Sequence, residues 1–223
     1  MGRLTRKVIA TLRSGGLRGL IWQALAVAGV RRLTVYCRPL DDHFAPAATP
    51  GVSVRPLSGA DADAYRALRP GAPEAELELR LEAGDRCLAA WRDGCLVGVY
   101  WLALREAPIP YLDLSVRLVG NAWFAYDVFV AAQERGRGIH NVLRLEAVSR
   151  GRSEGAVALL SAVLPENRGG RQITRRSRRL GTLISVRIGP WRLAHSTVRP
   201  GDLGRPRFSE RSGVSRRPAA DAT

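Results

Sequence analysis

The sequence predicts a mixed α/β fold, one sheet with helices on its faces. Three observations carry this. Strand-like runs rich in β-branched and aromatic residues recur between Val52 and Val163. Asp93-Gly94 sits between two of them as a tight hairpin turn, because both residues tolerate positive φ. From Trp123 to Val163 a strand, a glycine turn, an apolar-faced helix and a second strand follow in order. At 223 residues the chain suits one domain with a full core and appendages, and 46% hydrophobic residues is ordinary for a folded protein.

Residues 1–40 hold eight basic residues and no acidic one, around the apolar run Leu20 to Val30. That run is well short of the roughly 20 residues that span a bilayer, so neither a secretory signal nor a transmembrane anchor is expected. A basic amphipathic helix fits it, resting on a membrane surface or packed on the domain or a partner chain. Leu33 to Leu40 reads as one further strand, ahead of a Pro/Ala loop at Ala45 to Pro50. Residues 1–50 are therefore expected to form a basic N-terminal extension to a domain over 51–198.

Val52 to Leu57 alternates as a strand, and Ser58 is placed to cap a helix over Ala60 to Leu68 that Pro70 ends. Pro73 opens a second helix with Leu77 and Leu81 on one face and Gly84 as its stop. Arg86 to Trp91 and Cys95 to Leu104 are the hairpin strands. A Pro-containing connection, Glu106 to Gly120, leads to the strand Trp123 to Val130. Ile139, Val142, Leu143 and Ala147 then recur at helical spacing, with Gly151 as the expected end. Ala156 to Val163 has the continuous apolar character of a strand buried on both faces. Pro165 to Gly181 reads as a poor helix, and the strands Leu183–Ile188 and Trp191–Ser196 flank Gly189-Pro190. From Arg199 to Thr223, Pro, Gly, Ser and charges predict a disordered tail.

The net charge is +15, and Lys7 is the only lysine. This reads as an arginine bias across the whole chain, a solvated surface rather than one selected patch. Cys37, Cys87 and Cys95 fit neither a disulfide framework nor a zinc-site spacing, and read as thiols in a reducing cytoplasm. His43, His140 and His195 are scattered singly, and no metal site is expected.

Gly136 and Gly138 straddle Arg137 where the strand hands over to the helix. Without Cβ atoms they let the backbone curl close to a ligand. The first N–H groups of a helix lack intrahelical partners and carry partial positive charge, so this is a seat for phosphate, with Arg135 and Arg137 beside it. A Walker loop would end Gly-Lys-Ser/Thr, whereas this turn ends Gly-Ile-His. A dinucleotide fingerprint would want glycine at Asn141 and an acidic residue near the end of the next strand, which has none.

Gln133-Glu134-Arg135-Gly136-Arg137-Gly138 resembles the Gln/Arg-x-x-Gly-x-Gly/Ala turn of the GNAT superfamily of acyl-CoA-dependent N-acyltransferases, at each defined position. The likeness extends over about residues 52–195, taking in the flanking strand, the helix, the strand from Ala156 and Asn167 shortly after it. It implies a mixed, mostly antiparallel twisted sheet, splayed at its central strands, with helices on both faces. It implies further that Phe129 and Val130 pair with the pantetheine arm through their backbone. The amides from Arg135 to Ile139, with that of His140, would hold the pyrophosphate of acetyl-CoA, and no metal is implied. His140 stands where the family often has glycine.

The reaction so implied is transfer of an acetyl group to an amine by direct attack in a ternary complex. It needs a base and a donor for the developing oxyanion. The resemblance suggests the Val130 N–H as donor and Asp127 as base, the alternative for Asp127 being a carboxylate paired with an arginine. Strand alternation groups Asp127 with Ala125 and Phe129, and Tyr126 with Val128 and Val130. The tyrosine that serves many members as acid is replaced by Thr174, so that role passes to water, Ser177 or a tyrosine from elsewhere. The expected acceptor is an amine on a small molecule or protein, and the expected location cytoplasmic, with peripheral contact at the inner membrane surface through residues 1–40. The second reading is a catalytically degenerate GNAT-like domain whose basic surface binds anionic membrane or nucleic acid. Nucleic acid is disfavoured, since no aromatic residue interleaves with the arginines between Arg171 and Arg179.

Overall fold

The computed structural model describes residues 19–40, 49–167, 177–204 and 206–208. A helix at residues 19–27, α1, turns at Ala28 and Gly29 into β1 (Val30–Pro39). Next come β2 (Val52–Pro56), α2 (Ala62–Leu68) and α3 (Glu76–Glu82), then β3 (Arg86–Arg92) and β4 (Cys95–Ala103). β5 (Glu106–Ile109), β6 (Leu114–Arg117) and β7 (Ala122–Val130) lead to α4 (Ile139–Ser153). The chain closes with β8 (Ala158–Val163), β9 (Arg178–Ile188), β10 (Trp191–Ser196) and β11 (Pro206–Phe208). Eight strands form one sheet in the order β10-β9-β1-β8-β7-β4-β3-β2, antiparallel except where β7 runs parallel to β8. Among the described residues no helix is long and apolar enough to cross a membrane.

One face of the β2-β3-β4-β7 half packs under α2 and α3, through Tyr65, Leu77, Val99 and Trp101. The same face of the β8-β1-β9 half is covered by a three-stranded sheet, β11-β6-β5, whose Ile109, Leu114 and Val116 meet Val35, Leu160 and Leu183. α4 lies on the opposite face, with Ile139, Leu143 and Ala147 against Val97, Tyr100 and Trp123. Each large apolar side chain so buried contributes roughly 1.5–3 kcal/mol, which makes α4 a firmly seated element.

The hairpin behaves as expected, with Asp93 at φ 50° and Gly94 at φ 75°. At Ser58 the backbone N–H donates to Asp61 Oδ2 at 3.0 Å, and one turn of 3-10 helix precedes α2. Several expectations are corrected. Pro73 to Ala75 form a turn, and α3 begins only at Glu76. The connection from Glu106 to Gly120 folds as the β5–β6 hairpin. Gly151 does not end α4; it is buried inside the helix, where a Cβ would sit 2.7 Å from Leu40 Cδ1, and Gly155 at φ 75° follows the helix instead. β8 is buried on both faces only at Leu159 and Leu160. Residues 168–176 of the expected helix after β8 lie outside the described residues, and Arg178 to Leu180 already belong to β9. Past Arg199, where a disordered tail was expected, Leu203 is buried and Pro206–Phe208 pairs with β6; Arg205 and residues 209–223 lie outside the described residues. β1, ahead of residue 51, pairs on both sides within the sheet, with β8 and β9.

Candidate functional site

The site is built where β7 and β8 part. Their parallel register runs from Ala122↔Ala158 to Ala125↔Ser161 and stops, while β7 continues to Val130 and β8 to Val163. Beyond Ala125, β7 keeps only its β4 neighbour among the described residues. The Ala131 N–H donates to Val97 O at 2.9 Å, so Ala131 bonds toward β4. Backbone groups alternate between the two edges of a strand, so Phe129 also bonds toward β4. The N–H and C=O groups of Val130 and Val128 therefore point to the open edge. A side chain already uses that edge, since Arg135 Nε donates to Val130 O at 3.3 Å.

Directly after β7, a turn of 3-10 helix (Ala132–Glu134) leads into Gly136 (φ 78°) and Gly138 (φ 80°). Both need the left-handed region, which non-glycine residues enter at a cost of roughly 1–2 kcal/mol. A Cβ on Gly136 would meet nothing within 4 Å, so the concavity above it is open. Gly138 is the N-cap of α4, and its carbonyl accepts from the N–H of Asn141 and of Val142. The N–H groups ahead of these, those of Ile139 and His140, are ones that no helix can satisfy internally. Glu134 anchors the turn by pairing with Arg92 on β3, and Arg137 Nη1 lies 3.6 Å from the same carboxylate.

The side chain of Ile139 points into the core, and Gly98 on β4 makes room for it. A Cβ on Gly98 would sit 3.1 Å from Ile139 Cγ2 and 3.3 Å from Leu143 Cδ1. Gly98 thus lets the start of α4 lie close on the sheet and sets the height of the turn. The His140 ring meets Tyr100 edge-on at 5.9 Å. Burial, with Arg144 adding to it, pushes His140 down to about 4, so it is neutral at pH 7 and adds no charge beside the turn.

On the other face of β7 lies a buried polar network. Asp127 Oδ2 accepts from Arg69 and, at 2.7 Å, from Arg80 Nη1. Arg80 also donates to Glu76 Oε1 at 2.6 Å, and Tyr65 Oη donates to Glu76 Oε2 at 2.9 Å. Burial works against ionising Asp127, but Arg80 and Arg69 outweigh it and hold the carboxyl below its usual value. A carboxylate so held is a weak base. Tyr126 Oη donates to Asp85 Oδ2 at 2.9 Å, and burial above all keeps this phenol protonated well beyond its ordinary range.

The expected alternation along β7 fails at Tyr126. The register steps from Trp101↔Asp127 to Leu102↔Ala125, so Tyr126 is bulged. Ala125 joins the α4-side core, while Tyr126 and Phe129 pack on the α2/α3 side with Trp101. Phe129 lines a cleft of about 540 Å³ with Leu68, Leu96, Ala131, Ala132 and Gln133. Asn167 follows β8, its N–H donating to Leu164 O at 2.9 Å, and residues 168–176 after it are not described. The structure thus brings together Val130, Gln133 and the turn from Arg135 to His140. It sets Asp127 among arginines and turns the Phe129 backbone away. Val128, Gly98 and Glu134 were missed: strand alternation would have found Val128, but nothing in the sequence marks the other two. Among the described residues no group of side chains could hold a metal ion.

Solved structures similar to this chain include several acetyltransferases. Aminoglycoside N-acetyltransferase AAC(6')-Iy in complex with CoA is 24% identical, with a TM-score of 0.45 over 58% of this chain and 88% of its own. A ribosomal-protein-alanine N-acetyltransferase from Brucella melitensis biovar Abortus 2308 is 21% identical, with a TM-score of 0.44 over 55% of this chain and 87% of its own. A GNAT family acetyltransferase from Brucella melitensis in complex with acetyl-CoA reaches 0.35 at 21% identity, over 47% of this chain and 71% of its own. No family model matches the sequence, and no curated protein does.

Proposed function

We propose that the chain is a GNAT-type N-acetyltransferase that takes acetyl-CoA at the fork between β7 and β8. The observation that carries this reading is the open edge of β7 running straight into the two-glycine turn at the start of α4. A pantetheine arm is an extended chain with two amides, which an unpaired strand edge can match as a neighbouring strand would. A pyrophosphate at its end then falls on the turn, where helix amides and Arg135 and Arg137 favour anions. A fork without such a turn, or a turn without an open edge, would suit far fewer ligands.

In the reaction a neutral amine attacks the thioester carbonyl. The C–N bond forms as the C–S bond breaks, the amine loses a proton, and the CoA thiolate takes one. We place the thioester oxygen at the N–H of Val130, which faces the open edge and can stabilise the charge developing there. Asp127 is given a positioning role: it holds Arg69 and Arg80, and so α2 and α3, against β7. Water reaching the open fork supplies the proton for the departing thiolate, since Tyr126 gives its own to Asp85 and is held protonated. The acceptor is an amine on a small molecule or a protein. The test is release of free CoA thiol from acetyl-CoA in the presence of a panel of polyamine, aminoglycoside and peptide amines. Amine-dependent thiol release that Gly136→Glu abolishes supports the scheme. A folded protein that releases no thiol with any amine counts against it.

A further inference from the structure

The positive charge of this chain is not evenly spread. Residues 1–40 carry eight Lys/Arg and residues 167–201 nine, with no Asp or Glu in either, whereas residues 41–166 hold thirteen basic and seventeen acidic residues. The whole net charge of +15 therefore stems from these two distant segments. The fold brings the described parts of these segments, residues 19–40 and 177–201, side by side: β1 pairs with β9, β9 pairs with β10, and the Arg32 guanidinium on β1 lies 3.5 Å from the Trp22 ring centroid on α1. Strands β1, β9 and β10 at this end of the sheet carry seven arginines and no acidic residue, and three of those arginines pair with Glu166, Asp202 and Asp113 from outside these strands.

That end also carries the exposed apolar side chains. Five of the nine large hydrophobic residues exposed among the described residues are Ile21, Val27, Ile188, Trp191 and Leu193, with Val27 at 87% and Trp191 at 78% exposure. Cross-strand partners share a face, and here Trp191 lies opposite Ile188, and Leu193 opposite Val186, which in turn lies opposite Val30. The β9–β10 tip reads Arg187-Ile188-Gly189-Pro190-Trp191-Arg192, with Ile188 and Trp191 on one face of the hairpin and Arg187 and Arg192 together on the other. The Arg187 N–H donates to Gly29 O at 2.9 Å and ties this tip to the end of α1. Arg187 and Arg192 stand directly opposite each other, a like-charge pair that an anion would relieve, although Arg192 Nη1 also lies 3.3 Å from Asp113.

We propose that this end of the sheet, α1 with the β9–β10 tip, docks on the surface of an anionic lipid bilayer. The hairpin enters tip first, so that the indole and the aliphatic side chains on one face reach the headgroup boundary while Arg187 and Arg192 on the other meet the phosphates. The chemistry favours lipid over the other occupants. A nucleic acid would use the arginines but leave four aliphatic side chains in water, and a single exposed indole is a poor stacking platform. A second copy would set the cationic end against itself. The proposal is independent of the acyl-transfer reading.

The test uses the full chain, sedimented with phosphatidylcholine vesicles with and without about a third phosphatidylglycerol. The wild type partitions onto the anionic vesicles and is released by high salt. Each arginine near such a surface is worth roughly five-fold in partitioning, so Arg187→Gln with Arg192→Gln lowers it on the order of 25-fold. Ile188→Asp with Trp191→Asp lowers it by at least about 10-fold. Since the aspartate pair changes folded-state charge as well as apolarity, Trp191→Phe is read alongside: brominated lipid quenches part of the wild-type indole emission, and that part vanishes in this variant. Equal partitioning onto neutral vesicles, or quenching unchanged by Trp191→Phe, overturns the proposal. So does tighter binding to a short RNA duplex that ignores the apolar substitutions, or self-association without vesicles that Trp191→Asp abolishes.

Discussion

Replacing Asp127 by Asn separates its two roles. The Asp127 side chain is 20% exposed and is shared by two guanidinium groups, from Arg69 and Arg80. Stranding buried charges in this way typically costs about 3–5 kcal/mol. Here Arg80 keeps Glu76 at 2.6 Å, Arg69 keeps the rings of Tyr65 and Phe129, and Asn retains one acceptor oxygen. The expected loss is therefore about 2–3 kcal/mol, a factor of roughly 30–150 in the folding constant. A carboxylate whose proton affinity is lowered on folding contributes stability that is present above its unfolded pKa, ordinarily 3.8, and is lost as pH falls through its native value. Urea unfolding at pH 7 should thus separate wild type from variant, and the gap should narrow below about pH 4. In the transfer assay the variant should keep the wild-type shape of its pH–rate profile. A stability change under about 0.5 kcal/mol, or a gap that does not depend on pH, would refute the reasoning. A profile that loses its acidic limb would return Asp127 to the role of base.

Three further outcomes follow from the packing. Gly98→Val crowds Ile139 and Leu143, so it should cost about 1–3 kcal/mol in urea unfolding and weaken CoA binding with it, because the start of α4 must lift. His140 is held neutral, so the wild type should lose roughly 2 kcal/mol as pH falls from about 6.5 to about 4, a slope that His140→Gln flattens. Leu203→Ala should cost about 2–4 kcal/mol and lower the melting temperature; an unchanged melt would mean that the chain after Arg199 adds nothing to the core.

The parts of this fold that local chemistry dictates were legible in the sequence. Asp93-Gly94 has few options besides a tight hairpin, and the spacing of Ile139, Leu143 and Ala147 fixes the buried face of α4. The glycine turn was legible for the same reason: left-handed positions at Gly136 and Gly138 announce themselves. What tertiary context decides was not. A strand at Val30–Pro39 can be read from composition, but its place between β8 and β9 depends on segments about 120 residues or more away. The bulge at Tyr126 reverses which side chains share a face, and no residue type marks it. Gly151 looked like a helix stop and is a packing site instead, since glycine serves both ends and only Leu40 across the interface tells them apart. At the candidate site, the turn was found from sequence, whereas the outward-facing Val128 and the arginine clasp on Asp127 needed the register.

The central claim is that the fork and its glycine turn hold a CoA ester, and calorimetric titration of the purified chain with acetyl-CoA tests it most directly, with desulfo-CoA and ATP as comparisons. The account predicts saturable one-to-one binding of both CoA ligands, much weaker binding of ATP, and loss in Gly136→Glu, whose carboxylate would occupy the open concavity above the turn. A folded protein that takes up no heat with millimolar acetyl-CoA, or binds it equally well with Glu at position 136, would contradict it.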